Sequence, residues 1–132
     1  SQGGQIALLA TASGAPVRAT AVFAPVTDPE SWAAETTVDG IRDYVQVECG
    51  GPDGWPERSV LPRAADLRVP LLLVHGAADT RVPLRQSKLL FQQLGSGKST
   101  MLQVLPGVTH DLDAVVQPWR AIGLFRSSSN RD

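Results

Sequence analysis

Residues Val69-Pro70-Leu71-Leu72-Leu73-Val74-His75 form a run that is apolar on both faces and stops at Gly76. A strand with one wet face alternates apolar and polar side chains, whereas a run that is apolar throughout belongs inside a parallel sheet covered on both sides. Two further β-rich segments flank it: Ala19 to Ala24, ended by Pro25, and Thr100 to Leu105, ended by Pro106-Gly107. Helical patterns separate the three. One runs from Gln2 to about Ala12 and stops near Gly14. Another runs from Leu84 to Leu94, with Pro83 at the first helical position, Gly95 as C-terminal cap, and Leu90, Phe91 and Leu94 as an apolar stripe. A last helix is expected from Pro118, carrying Trp119, Ile122 and Phe125. This alternation predicts an α/β fold of about three parallel strands with right-handed crossovers and flanking helices.

Between Asp28 and Leu67 the pattern breaks. Pro29, Gly40, Gly50-Gly51-Pro52, Gly54 and Pro56 punctuate it, and one helix is expected, around Val38 to Val47. Such an excursion over the strand ends is where open α/β sheets place ligand-contacting loops, although a plain long connection reads the same way. Tyr44, Cys49 and Trp55 are the residues expected to line it.

The chain has 132 residues, enough for one domain or a piece of one, and its 42% apolar content suffices for a core. Twelve basic residues face thirteen acidic ones without a local Lys/Arg cluster, so neither nucleic acid nor an anionic membrane is an expected partner. No apolar run approaches the roughly 20 residues of a membrane-spanning helix. Two histidines and one cysteine without ligand spacing give no metal signal, and no cofactor motif is present. Cys49 cannot form an internal disulfide, which favours a reducing, cytoplasmic setting. Residues 1–126 are read as part of a catalytic domain and 127–132, with three consecutive serines, as a flexible tail.

The chemistry is carried by three short blocks. Ser1-Gln2-Gly3-Gly4 ahead of an apolar helix matches the second half of a Gly-x-Ser-x-Gly nucleophile elbow. Asp79 follows the strand that ends at Gly76, and His110 follows the strand that ends at Leu105. A serine hydroxyl needs an adjacent imidazole to take its proton, and the imidazole needs a carboxylate to fix its tautomer. Strands running in parallel bring Ser1, Asp79 and His110 to one sheet edge, in the order nucleophile, acid, base. His75, four residues before Asp79, is too close to it in sequence to bridge it to the serine, and is read as a support for the Asp79 loop.

Four blocks occur in order: Ser1-Gln2-Gly3-Gly4, Ala24-Pro25-Val26-Thr27-Asp28, His75-Gly76-Ala77-Ala78-Asp79-Thr80-Arg81-Val82-Pro83, and Pro106-Gly107-Val108-Thr109-His110. Together they resemble the C-terminal half of a three-layer α/β-hydrolase domain, specifically that of the prolyl oligopeptidase group of dipeptidyl and acylaminoacyl peptidases and related esterases. The resemblance is weakest between residues 29 and 67. It implies a serine hydrolase that cleaves a peptide or small ester through an acyl-enzyme on Ser1, with His110 as general base and Asp79 as orienting acid. The backbone N–H of Gln2 would donate to the oxyanion. A second donor, a tyrosine hydroxyl or another N–H, would come from upstream of the serine. Val26, Trp32 and Val82 would line an apolar pocket, and Arg81 would bind a substrate carbonyl.

Three alternatives accompany this reading. A carboxylesterase of the same fold would use the same three residues. An N-terminal nucleophile would use the α-amine of Ser1 as its base and need neither Asp79 nor His110. A truncated copy, lacking the N-terminal half of the domain, would have no independent catalysis.

Overall fold

The computed structural model describes residues 1–48, 50–95 and 99–111. Three parallel strands, β1 (Thr20–Phe23), β2 (Leu71–Gly76) and β3 (Thr100–Leu105), lie in the order β1-β2-β3. Thr20 sits opposite Leu71, and Leu71 opposite Thr100, so the three C-terminal ends finish together, with Gly76 level with Leu105. All six residues of β2 are buried, as expected for a run apolar on both faces. The period-2 alternation of the strand splits it between two cores. Leu71 and Leu73 pack with Val22 against Leu8 and Ala12 of helix α1 (Gln2–Ala12), and against Leu90 and Leu94 of α5 (Arg85–Leu94). Leu72 and Val74 face the other way, beside Ala21, Phe23 and Leu105.

The excursion is more ordered than its Gly/Pro density suggests. Instead of one helix it holds three, α2 (Pro29–Glu35), α3 (Ile41–Glu48) and α4 (Gly51–Arg58), followed by a 3-10 helix, Leu61–Asp66. Each helix is seven or eight residues long, too short to be stable alone. A shared core forms them: Val26, Trp32, Ala33, Val45 and Val82 are buried together, with Ile41 and Trp55 packed alongside. Asp28 caps α2, its carboxylate accepting from the Ser31 N–H at 3.3 Å.

A buried glutamine ties this unit to the sheet. The Gln86 side-chain oxygen accepts the N–H groups of Thr27 (3.0 Å) and Asp28 (2.9 Å). Its amide nitrogen donates to Ser31 Oγ at 2.8 Å, and its backbone carbonyl accepts the Thr27 hydroxyl at 2.6 Å. Gln86 is wholly buried with each of its side-chain polar atoms paired, which offsets the cost of taking an amide out of water.

Element boundaries otherwise follow expectation closely. Helix α1 matches the expected Gln2 to Ala12, and Gly95 closes α5 with φ +72°. Pro83 stands outside α5 and opens a turn, its carbonyl accepting from Gln86 N–H at 2.9 Å. The expected helix from Pro118 and the tail at 127–132 lie outside the described residues. Among the described residues no helix is long and apolar enough to cross a membrane.

Candidate active site

The site lies at the C-terminal ends of the strands, where open α/β sheets present their loops. Asp79 stands three residues past β2 in a tight loop whose turn its own carboxylate holds. Oδ1 accepts the N–H groups of Arg81 (3.0 Å) and Val82 (2.9 Å). Oδ2 accepts from Nδ1 of His110 at 2.7 Å. One residue therefore closes the turn and bonds His110, with one oxygen for each contact.

Asp79 is 6% exposed. Burial alone would raise its carboxyl, but hydrogen bonds from His75, the Val82 amide and His110, with the charge of His110, outweigh that and hold it below the ordinary carboxylate range. An ionised Asp79 can only accept, so Nδ1 of His110 is the donor in this contact.

His110 reaches Asp79 because two loops lie against each other. The Ala77 and Ala78 N–H groups donate to the carbonyls of Leu105 and Val108, both at 2.9 Å. Gly76 makes this approach possible: a Cβ there would sit 2.2 Å from the Val108 carbonyl oxygen and 2.7 Å from that of Thr109.

Ser1 occupies the N-cap position of α1, yet its side chain makes no capping hydrogen bond, so its hydroxyl is not used up by the helix. Its amino nitrogen lies 3.3 Å from the Phe23 carbonyl at the end of β1. The tight packing behind the serine falls at Gly4, where a Cβ would meet Pro25 at 3.1 Å. No hydrogen bond joins Ser1 to His110 among the described residues. In free enzymes this contact is often long and tightens only with substrate bound. The Gln2 N–H lies in the first turn of α1, where the helix dipole favours negative charge.

Beside Ser1 opens a cavity of 370 Å³, lined by Ser1, Gln2, Trp32, Val38, Ile41, Tyr44 and Arg81. Of the substrate-contacting residues expected from sequence, Trp32 and Arg81 line it. Val26 and Val82 do not: both are 0% exposed and form the core behind Trp32. Valines next to a cleft and valines beneath it look alike in a sequence. Trp32 is fixed by its indole N–H, which donates to the Arg81 carbonyl at 2.7 Å. Tyr44, expected in the excursion, does line the cavity, and its hydroxyl donates to Gln2 Oε1 at 3.1 Å. Trp55 instead borders a separate cavity of 430 Å³ with Glu30, Ala33, Ala34, Arg42 and Gln46, which includes none of Ser1, Asp79 and His110. Cys49 lies outside the described residues. Sequence reasoning had no signal for Val38 or Ile41, whose place in the cavity wall depends on contacts distant in the chain. Among the described residues no His/Cys/Asp/Glu group could hold a metal ion.

The chain is similar to several known proteins. The chain is 39% identical over 67 residues to the uncharacterized peptidase YuxL of Bacillus subtilis, covering 50% of this chain and 10% of that protein. It superposes on a Mycobacterium tuberculosis puromycin-hydrolyzing peptidase with TM-score 0.74 at 26% identity, covering 83% of this chain and 17% of that one. It also shares the fold of the Pyrococcus horikoshii acylaminoacyl peptidase, with TM-score 0.76 at 20% identity, covering 96% of this chain and 21% of the other. It thus spans about a tenth to a fifth of the length of these proteins. The prolyl oligopeptidase family matches residues 1–123, which takes in the Ser1 block, the Asp79 loop and the His110 loop alike. This is an α/β-hydrolase sheet, and the chain belongs to the prolyl oligopeptidase family.

Proposed function

We propose that the protein containing this chain is a serine hydrolase that cleaves peptide bonds through an acyl-enzyme on Ser1. The observation that carries this reading is the 2.7 Å contact between His110 Nδ1 and Asp79 Oδ2, made at the strand ends where Ser1 also stands. Peptidases among the similar proteins, one of them named for hydrolysing puromycin, support the same reaction class.

His110 Nε2 takes the proton of the Ser1 hydroxyl as Oγ attacks the carbonyl carbon. The carbonyl oxygen becomes an oxyanion, to which the Gln2 N–H donates. His110, now protonated and held by Asp79, gives the proton to the leaving nitrogen, and the C–N bond breaks to leave the Ser1 ester. Water, deprotonated by the same Nε2, then hydrolyses that ester. The Trp32 wall would receive the apolar side chain next to the scissile bond, and Arg81 would face a substrate carbonyl.

A fluorophosphonate probe tests the assignment in the full-length protein. Wild type is expected to label covalently and to cleave peptide anilides. Ser1→Ala should abolish labelling, and His110→Ala should lower turnover by roughly 10⁴-fold or more. Undiminished labelling of Ser1→Ala would refute the nucleophile. Full activity of His110→Ala would instead point to a base other than His110, such as the α-amine of an N-terminal serine.

A further inference from the structure

The second histidine of the chain is the residue whose bonding goes furthest beyond the triad. His75 is 0% exposed and is bonded at both ring nitrogens. Nε2 lies 2.8 Å from the Val82 carbonyl oxygen, which can only accept, so Nε2 carries the proton. Nδ1 is left to accept the hydroxyl proton of Ser87, which lies 2.7 Å away on α5. The same Nε2–H faces Asp79 Oδ2 at 3.5 Å, the oxygen that His110 uses. Val82 completes the frame. Its carbonyl is taken by His75, while its N–H holds the other oxygen of Asp79 at 2.9 Å.

The two carboxylate oxygens are thus restrained together. One is held through the Val82 peptide that His75 grips, and the other lies 3.5 Å from the edge of the same imidazole. A carboxylate held only by its own turn would be free to rotate away from His110. Here a buried ring lies beside it, carried by β2 and bonded to Ser87 of α5.

Resting on the reading of Asp79 and His110 as a catalytic pair, we propose that His75 is a positioning residue of the reaction. With its tautomer set by the Val82 carbonyl and its ring anchored to α5 by Ser87, it holds the Asp79 carboxylate at the angle that keeps His110 oriented toward Ser1. Its effect passes through Asp79, and it does not touch substrate.

The test uses four variants of the full-length protein, each checked for folding by circular dichroism and assayed with a peptide anilide. His75→Phe keeps an apolar ring and removes both nitrogens. It should lower kcat by about 10–100-fold, the scale of a misplacement of roughly 1 Å near the chemistry, and leave KM within about twofold. His75→Gln puts an amide N–H near the place of Nε2 and should recover most of that loss. Ser87→Ala, which removes the anchor of the ring on α5 and leaves the Val82 contact in place, should lower kcat by about tenfold, again without moving KM. Folded His75→Phe with wild-type kcat, a loss confined to KM, or His75→Gln no better than His75→Phe would each overturn the proposal. Should His75→Phe fail to fold, Ser87→Ala decides, and unchanged kcat there overturns it. His110→Ala separates the two levels: undiminished turnover in that variant refutes the catalytic pair itself, whatever His75 does.

Discussion

Asp79 concentrates more of the site's physics than any other single residue. Four donors converge on it: the N–H groups of Arg81 and Val82, His110 Nδ1 and, more distantly, His75 Nε2. Against the opposing effect of burial, those from His75, Val82 and His110 lower its folded-state pKa below the value of about 3.9 it has in an unfolded chain. A depressed carboxyl adds stability that is fully present above the unfolded pKa and is lost as pH falls through the folded one. Asp79→Asn should therefore be less stable than wild type above about pH 4, and the gap should close as the solution is acidified below that. Urea melts of the two proteins between about pH 2 and 6 would show it, and a gap that does not change with pH would contradict it. The same substitution places an amide between two histidine donors and disfavours the tautomer with a free Nε2, so turnover should fall by about 10⁴-fold. His110 and Asp79 were legible in the sequence because each sits a few residues past an apolar run. The division of labour between the two oxygens of Asp79 was not legible, because it depends on which donors the folded loop brings near.

At the scale of elements, the site depends on how closely the loop after β2 approaches the loop after β3. Gly76 sets that distance. Gly76→Ala would drive a methyl group into the Val108 carbonyl, 2.2 Å from the ideal Cβ position, so the backbone of one loop must move. We expect a stability loss of about 1–3 kcal/mol from overpacking. Turnover should fall by at least about 100-fold, because His110 is carried on the loop that is displaced. Thermal melts and single-turnover assays would measure the two effects, and wild-type turnover in Gly76→Ala would show that the approach is dispensable. The excursion shows where reading by pattern fails. Its glycines and prolines punctuate local periodicity, so the sequence pointed to one helix where the structure has three. Those helices exist because Trp32, Val45 and Trp55 find a common core with Val26 and Val82, and because Gln86 fixes the entry of α2 from 58 residues away. The same packing turned Val26 and Val82 from expected pocket walls into the backing of Trp32.

For the molecule as a whole, the described residues leave β1 with a strand partner on one side only, and Ile6 of α1 is 59% exposed. Unpaired N–H and C=O groups along a strand edge are a template for association with other chains. Expressed as these 132 residues alone, the chain is expected to associate or to melt without a sharp transition, and to show negligible hydrolysis of nitrophenyl esters. A reversible, cooperative melt of a monomer by calorimetry, or robust turnover by it, would refute this. The sequence by itself determined the class of the sheet, the direction of its strands and the order in which serine, aspartate and histidine arrive at its edge. Those properties follow from short-range pattern: apolar runs, the residues that end them, and the spacing behind each end. Only the tertiary structure decided which histidine meets which oxygen, which apolar residues face the cavity, and that the excursion is helical. Each of these depends on contacts between residues tens of positions apart, and a linear pattern carries no record of the distance across which two side chains will meet.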